Sequence, residues 1–145
     1  MYAVFVLAAA ALLGVFVAGC SKKAETKPEQ TGSASNGQKT ASYHIGIATG
    51  TVSQSEDDLR GAEKLIEMYG SVKTGGMIQH ITYPDDFMSQ QETTITQIAA
   101  LADDPFMNAI IVNQGIPGTA EAFKRVREKR PDILLFAGEP HEDPL

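Results

Sequence analysis

Three observations predict an α/β protein built on a parallel sheet. From Tyr43 onward, apolar stretches of strand length alternate with stretches of helical periodicity, in the order β-α-β-α-β-α-β. Ile110, Ile111 and Val112 form an unbroken branched run, the mark of a strand covered on both faces. Residues 43–55, YHIGIATGTVSQS, pass from an apolar strand through a Gly/Thr/Ser turn directly into an acidic helix start. Such alternation gives right-handed crossovers with helices on both faces of the sheet, a three-layer α/β/α arrangement. The strand-to-helix turn is where such folds place ligands, because helix N–H groups and strand-end side chains converge there.

Strand one takes its burial from Tyr43, Ile45, Ile47 and Ala48. Helix one is expected over 55–69, with Ser55 and Asp58 as a capping-box variant. Leu59, Ala62, Leu65, Ile66 and Tyr69 make its apolar face, and Gly70 closes it. Strand two, 77–83, alternates apolar and polar residues as an edge strand does, so His80 reads as a side chain on its less buried face rather than a ligand. Helix two starts at a full capping box, Ser89 to Glu92, buries Ile95, Ile98, Ala99 and Ala102, and stops at Asp103-Asp104-Pro105. Strand three is 109–113. Helix three begins at Thr119 with Ala122, Phe123 and Val126 inward, and its basic end, Lys124 to Arg130, reads as a solvated face suited to the helix dipole. Residues 133–137, ILLFA, read as a fourth, buried strand. The chain stops soon after that strand, which marks 43–145 as the N-terminal piece of something longer.

The first forty residues are of another kind. Residues 2–19 carry no charge and are nearly all apolar, long enough almost to span a bilayer as a helix. Their position and small-residue end favour a secretory signal peptide over 1–19. No Lys or Arg precedes the run, where a signal peptide normally carries one, and this points to a misassigned or truncated start. Val17-Ala18-Gly19-Cys20 then resembles the lipobox of bacterial lipoproteins, in which cleavage precedes the cysteine and the cysteine takes lipid. Cys20 is the only cysteine, so no intrachain disulfide forms. Residues 21–42 hold no large apolar side chain and read as a disordered tether. The tether has four Lys against two Glu, whereas 43–145 has eight basic and sixteen acidic residues. An acidic domain on a mildly basic tether disfavours nucleic acid as a partner.

Chemical motifs are tested and found absent. Gly50 to Ser55 lacks the second glycine and the lysine of a P-loop, and Gly46 and Gly50 do not make a dinucleotide fingerprint. No nucleophile elbow occurs, and three distant histidines with no cysteine in the domain give no support to zinc. The acidic residues sit at helix starts and turns, where capping accounts for them. The reading assigns no catalytic residue, no metal and no cofactor.

A lipobox, a polar tether, then YHIGIATGTVSQSEDDLRGAEKL, ITYPDDF and AIIVNQGIPGTAEAFKRVREKRPDILLFAGEPHEDP resemble the bacterial lipoprotein family DUF3798. That family is similar to type I periplasmic binding proteins, two-lobed receptors that close on a small molecule. The resemblance implies a flavodoxin-like strand order 2-1-3-4 and the N-terminal lobe of that fold, with the second lobe absent. Ligands would then bind at the switch point between strands one and three. This selects Thr49, Thr51 and Ser53 from the first turn, Asn113 and Gln114 from the third, and Glu139 after strand four. Local hydrogen bonding in the turns is the alternative for Thr51, Ser53 and Asn113. The expected function is a lipid-anchored, extracytoplasmic protein of the cell membrane that binds a small polar solute for uptake or sensing, with an ABC transporter or sensor downstream. The alternatives are an enzyme on the same fold with its catalytic residues in the missing half, and a structural lipoprotein without ligand.

Overall fold

The computed structural model describes residues 40–141. The apolar segment 2–19, Cys20 and the tether up to residue 39 lie outside the described residues. Four strands, β1 (His44–Thr49), β2 (Ile78–Thr82), β3 (Met107–Val112) and β4 (Leu134–Ala137), form one sheet in the order β2-β1-β3-β4. Every pair is parallel, with Ile47 opposite His80 and Ile111, and Ile111 opposite Phe136. Helices α1 (Val52–Tyr69), α2 (Gln91–Ala100) and α3 (Thr119–Lys129) make the crossovers. The expected α/β class and strand order are both present.

The two faces of the sheet are unequal. On one, Ala48, Ile110 and Val112 pack with Ile95 and Ile98 of α2 and Ala122, Phe123 and Val126 of α3, in a cluster closed by Leu101, Ala102, Met107 and Ile133. Gly46 lies here because an added Cβ would stand 3.0 Å from Leu101 Cδ1. On the other face, α1 seals a small cluster of Ile47, Ala62 and Ile78. At about 1.5–3 kcal/mol for each large apolar side chain buried, the first cluster supplies most of the stability.

Several boundaries and burials differ from expectation, each for a local reason. Helix α1 begins at Val52, three residues early, and Ser55 interrupts it at φ −153°, ψ 82°. Ser55 Oγ donates to Asp58 Oδ2 at 2.6 Å, so the two side chains satisfy each other instead of capping backbone. Of the expected α1 face only Ala62 is buried; Leu65 and Tyr69 are exposed. The Ser89–Glu92 box does not form: α2 starts at Gln91 with no side-chain cap, because Ser89 closes a turn back onto Asp86. Strand β2 spans Ile78–Thr82, and β3 spans Met107–Val112 rather than starting at Ala109. The basic end of α3 is paired rather than merely solvated. Arg125 bonds Glu121 and Glu92, Lys129 bonds Asp103, and Arg130 bonds Asp132 and the carbonyls of Asp104 and Met107. Strand β4 is not buried as expected: Ile133 and Leu135 turn inward, while Leu134 and Phe136 are exposed because the sheet ends there on the described residues.

Candidate functional site

The strand order reverses direction between β1 and β3, and the loops after these strands lie at the carboxyl end of the sheet, where open α/β sheets form a ligand crevice. The β2 loop borders the same end. Asp85, just past β2, draws the first turn towards itself. It accepts from Thr51 Oγ1 and from Ser53 Oγ, the latter at 2.7 Å, while its carbonyl takes the Gln54 amide. The Thr51 hydroxyl, then that of Ser53, hold the Asp85 carboxyl below its ordinary value, since both donate to the charged form.

A second knot joins β1's helix to β3. Asn113 Nδ2 donates to Asp58 Oδ1 at 2.7 Å, and Asp58 is the carboxylate already held by Ser55. A third spans β2 and β3: Tyr83 OH donates to Gln114 Oε1 at 3.5 Å. Tyr83 is only 1% exposed, and burial, with the charge of Asp58 adding to it, raises its phenol pKa so that it stays a donor. Beyond β3 and β4 the backbone remains zipped, with Gly115 N–H on the Gly138 carbonyl at 2.7 Å and His141 N–H on the Gly115 carbonyl at 2.8 Å. Gly138 permits this approach, because a Cβ there would lie 2.4 Å from the Asn113 carbonyl oxygen. Glu139 follows, exposed and at φ 41°, the one non-glycine residue with positive φ among the described residues.

The expected site residues therefore gather at one end of the sheet but not in one contact network. Thr51 and Ser53 meet at Asp85, Asn113 meets Asp58, and Gln114 meets Tyr83. Thr49 is 1% exposed, its hydroxyl donating to the Gly50 carbonyl and lying 2.9 Å from His80 Nε2. It supports the turn from beneath. With that proton committed, the arrangement that satisfies both groups is a neutral His80 donating from Nε2, in keeping with burial lowering the His80 pKa. Gln54 Oε1 is buried and has no hydrogen-bond partner among the described residues.

Sequence reasoning missed Asp58, Asp85, Tyr83 and Gln54. Capping explained Asp58, and a turn explained Asp85. The available signal was position: any polar residue directly after a parallel strand belongs to the same end of the sheet. Among the described residues no group of three His, Cys, Asp or Glu is arranged to hold a metal. A hollow of about 440 Å³ lies at the opposite end, before β1 and β2, lined by backbone and by Tyr43, Tyr69 and Met77 with no charged side chain.

Residues 43–145 match the family described as "Protein of unknown function (DUF3798)". The chain belongs to the DUF3798 family. A protein of Treponema pallidum (strain Nichols), described as uncharacterized, is 48% identical over 119 residues, which are 81% of this chain and 52% of that one. A second uncharacterized protein of the same organism is 56% identical over 43 residues, 30% of this chain and 20% of its own length. The DUF3798 chain thus spans about half or less of the curated relatives it matches. A crystal structure described as that of a candidate transcriptional regulator from Clostridium difficile 630 superposes with a TM-score of 0.57 at 28% identity, over 64% of this chain and 28% of the other.

Proposed function

We propose that this DUF3798 chain is the N-terminal lobe of a lipid-anchored, extracytoplasmic binding protein, akin to type I periplasmic binding proteins, that takes a small polar solute for uptake or sensing. The observation that carries the reading is the strand reversal between β1 and β3, with hydroxyls, amides and carboxylates of three loops gathered at the carboxyl end where open α/β sheets form a binding crevice. The lipobox-like Val17–Cys20 stretch and polar tether support the anchor. The fold likeness to a chain described as a candidate regulator is compatible with sensing, and the acidic character of 43–145 argues against nucleic acid as the thing bound.

The crevice chemistry narrows the solute. Asp58, Asp85 and Glu139 are acceptors, and the connections 50–58, 83–90, 113–118 and 138–141 contain no Lys or Arg. Gln54 Oε1, with no donor among the described residues, is a further acceptor at this end of the sheet. A phosphate or carboxylate 4 Å from one of these carboxylates meets a repulsion of about 4 kcal/mol at an effective dielectric near 20. The solute is therefore neutral or cationic and rich in donors, such as a polyol, a nucleoside or an amine.

Thermal shift against sugars, nucleosides, amines and phosphorylated metabolites tests this, on the chain and on its longer Treponema pallidum relative. Stabilisation by a neutral or cationic compound without turnover is expected. Turnover would make it an enzyme, and a flat panel on both proteins would leave a structural lipoprotein. With the compound in hand, Ser53→Ala with Gln114→Ala should weaken binding about ten-fold or more, since two hydrogen bonds of about 0.5–1.5 kcal/mol each are lost. Calorimetric titration reads this, and a native dissociation constant would sink the crevice.

A further inference from the structure

On the α1 side of the sheet the apolar side chains continue past the cover. Ala109 pairs with Leu134 and Ile111 with Phe136, so these four share that face over β3 and β4. Helix α1 lies over β1 and β2, where Ile47 is 5% and Ile78 2% exposed. Over β3 and β4 no described residue provides cover: Ala109 and Ile111 are half-buried, Leu134 is 61% and Phe136 54% exposed. The opposite face of the same two strands is sealed by α2 and α3. Parallel strands are ordinarily covered on both faces, so this half-face stands out.

The flank of α1 beside it is shaped to match. Asp58 reaches Asn113 above β3, so Leu65, two turns on, lies on the same side and is 36% exposed. Glu63, whose charge acts on His80 of β2, marks the other side of the helix. Gly61 sits between Asp58 and Leu65 on the β3 flank, and a Cβ added there meets nothing within 4 Å. A four-residue apolar floor beside a helix flank with a glycine notch is the geometry that receives a second helix, since small residues let helix backbones approach closely. The matched region makes up 52% of the 48%-identical relative, which leaves as much polypeptide again to provide one.

We propose that in the longer DUF3798 proteins this half-face is occupied by an amphipathic helix from the remainder of their own chain, lying alongside α1 with its apolar side on Ile111, Leu134 and Phe136. The inference is independent of the solute reading, because the floor and the crevice lie on different parts of the sheet.

Cysteine labelling tests it. In a Cys20→Ser background, Phe136→Cys and, as a control on the outer side of α1, Glu67→Cys are reacted with a maleimide under native conditions. In the 145-residue chain at low micromolar concentration the two should label at similar rates. In the Treponema pallidum relative, freed of its native cysteines, the residue matching Phe136 should label at least ten-fold more slowly than the control while the protein remains monomeric. Equal labelling in the relative overturns the proposal. Protection of Phe136→Cys in the short chain that rises with concentration, with a doubled mass by light scattering, also overturns it, because a second copy then fills the berth. Leu134→Cys repeats the measurement if circular dichroism shows that the first variant is not folded.

Discussion

Asp85 is the residue on which the first turn depends. Its carboxyl is held below the ordinary Asp value by the Thr51 and Ser53 hydroxyls, so the folded state favours the charged form. The tie is therefore complete above the ordinary Asp value and is lost as pH falls through the lowered one. A carbon-detected NMR titration should place Asp85 below 3.8, and Thr51→Val with Ser53→Ala should move it back towards that value. His80 works with the opposite charge. Burial lowers its pKa from 6.5, so the folded state binds fewer protons and stability declines as pH drops below 6.5. Melts at pH 7 and pH 5 should show a smaller loss for His80→Gln than for the parent; an equal loss would place the pH dependence elsewhere. That Thr51, Ser53, Asn113 and Gln114 lie at one end of the sheet was legible because they follow apolar strands directly. Asp58 and Asp85 were not, because local capping and turn chemistry gave each a sufficient explanation, and only the folded sheet shows that their partners come from distant segments.

At the scale of elements, the alternation of strand and helix was legible because burial imposes period 2 or 3.6 on the side chains. Helix starts were not. Ser55 and Ser89 carry capping-box spacing, yet each hydroxyl found a nearer carboxylate, Asp58 and Asp86, and the backbone began its helix elsewhere. Burial of β4 was overestimated for a related reason: ILLFA records what the strand is suited to meet, not what lies against it among the described residues. The glycines separate two kinds of position. Gly138→Ala drives a Cβ into the Asn113 carbonyl, and should cost about 1–3 kcal/mol and loosen the β3 and β4 ends. Gly61→Ala adds a methyl to open space within a helix, and should stabilise the 145-residue chain by about 0.5–1 kcal/mol. Urea unfolding of both variants checks the contrast, and equal signs would refute it.

For the whole molecule, the anchor proposal rests on one thiol. Cys20→Ala, expressed in cells, should leave the protein in the aqueous phase of a detergent partition or as uncleaved precursor; unchanged partitioning of a correctly cleaved variant would remove the lipid. The inequality of the two sheet faces reaches further. One side of the proposed crevice, Ser53 to Asp58, rides on α1, and α1 is fastened by a small cluster, whereas Asn113 and Gln114 rise from a strand rooted in the large one. Local opening follows the number of buried apolar groups. Amide protons of α1 should therefore exchange well before those of β3 and α2, by a process that does not unfold the sheet. The large cluster and the small one would then act as a stiffer and a more yielding half that meet at the carboxyl ends of β1 and β3. On the proposed solute-binding reading, a solute held between them is expected to slow amide exchange along α1, as far as its end about 20 Å from the strand reversal.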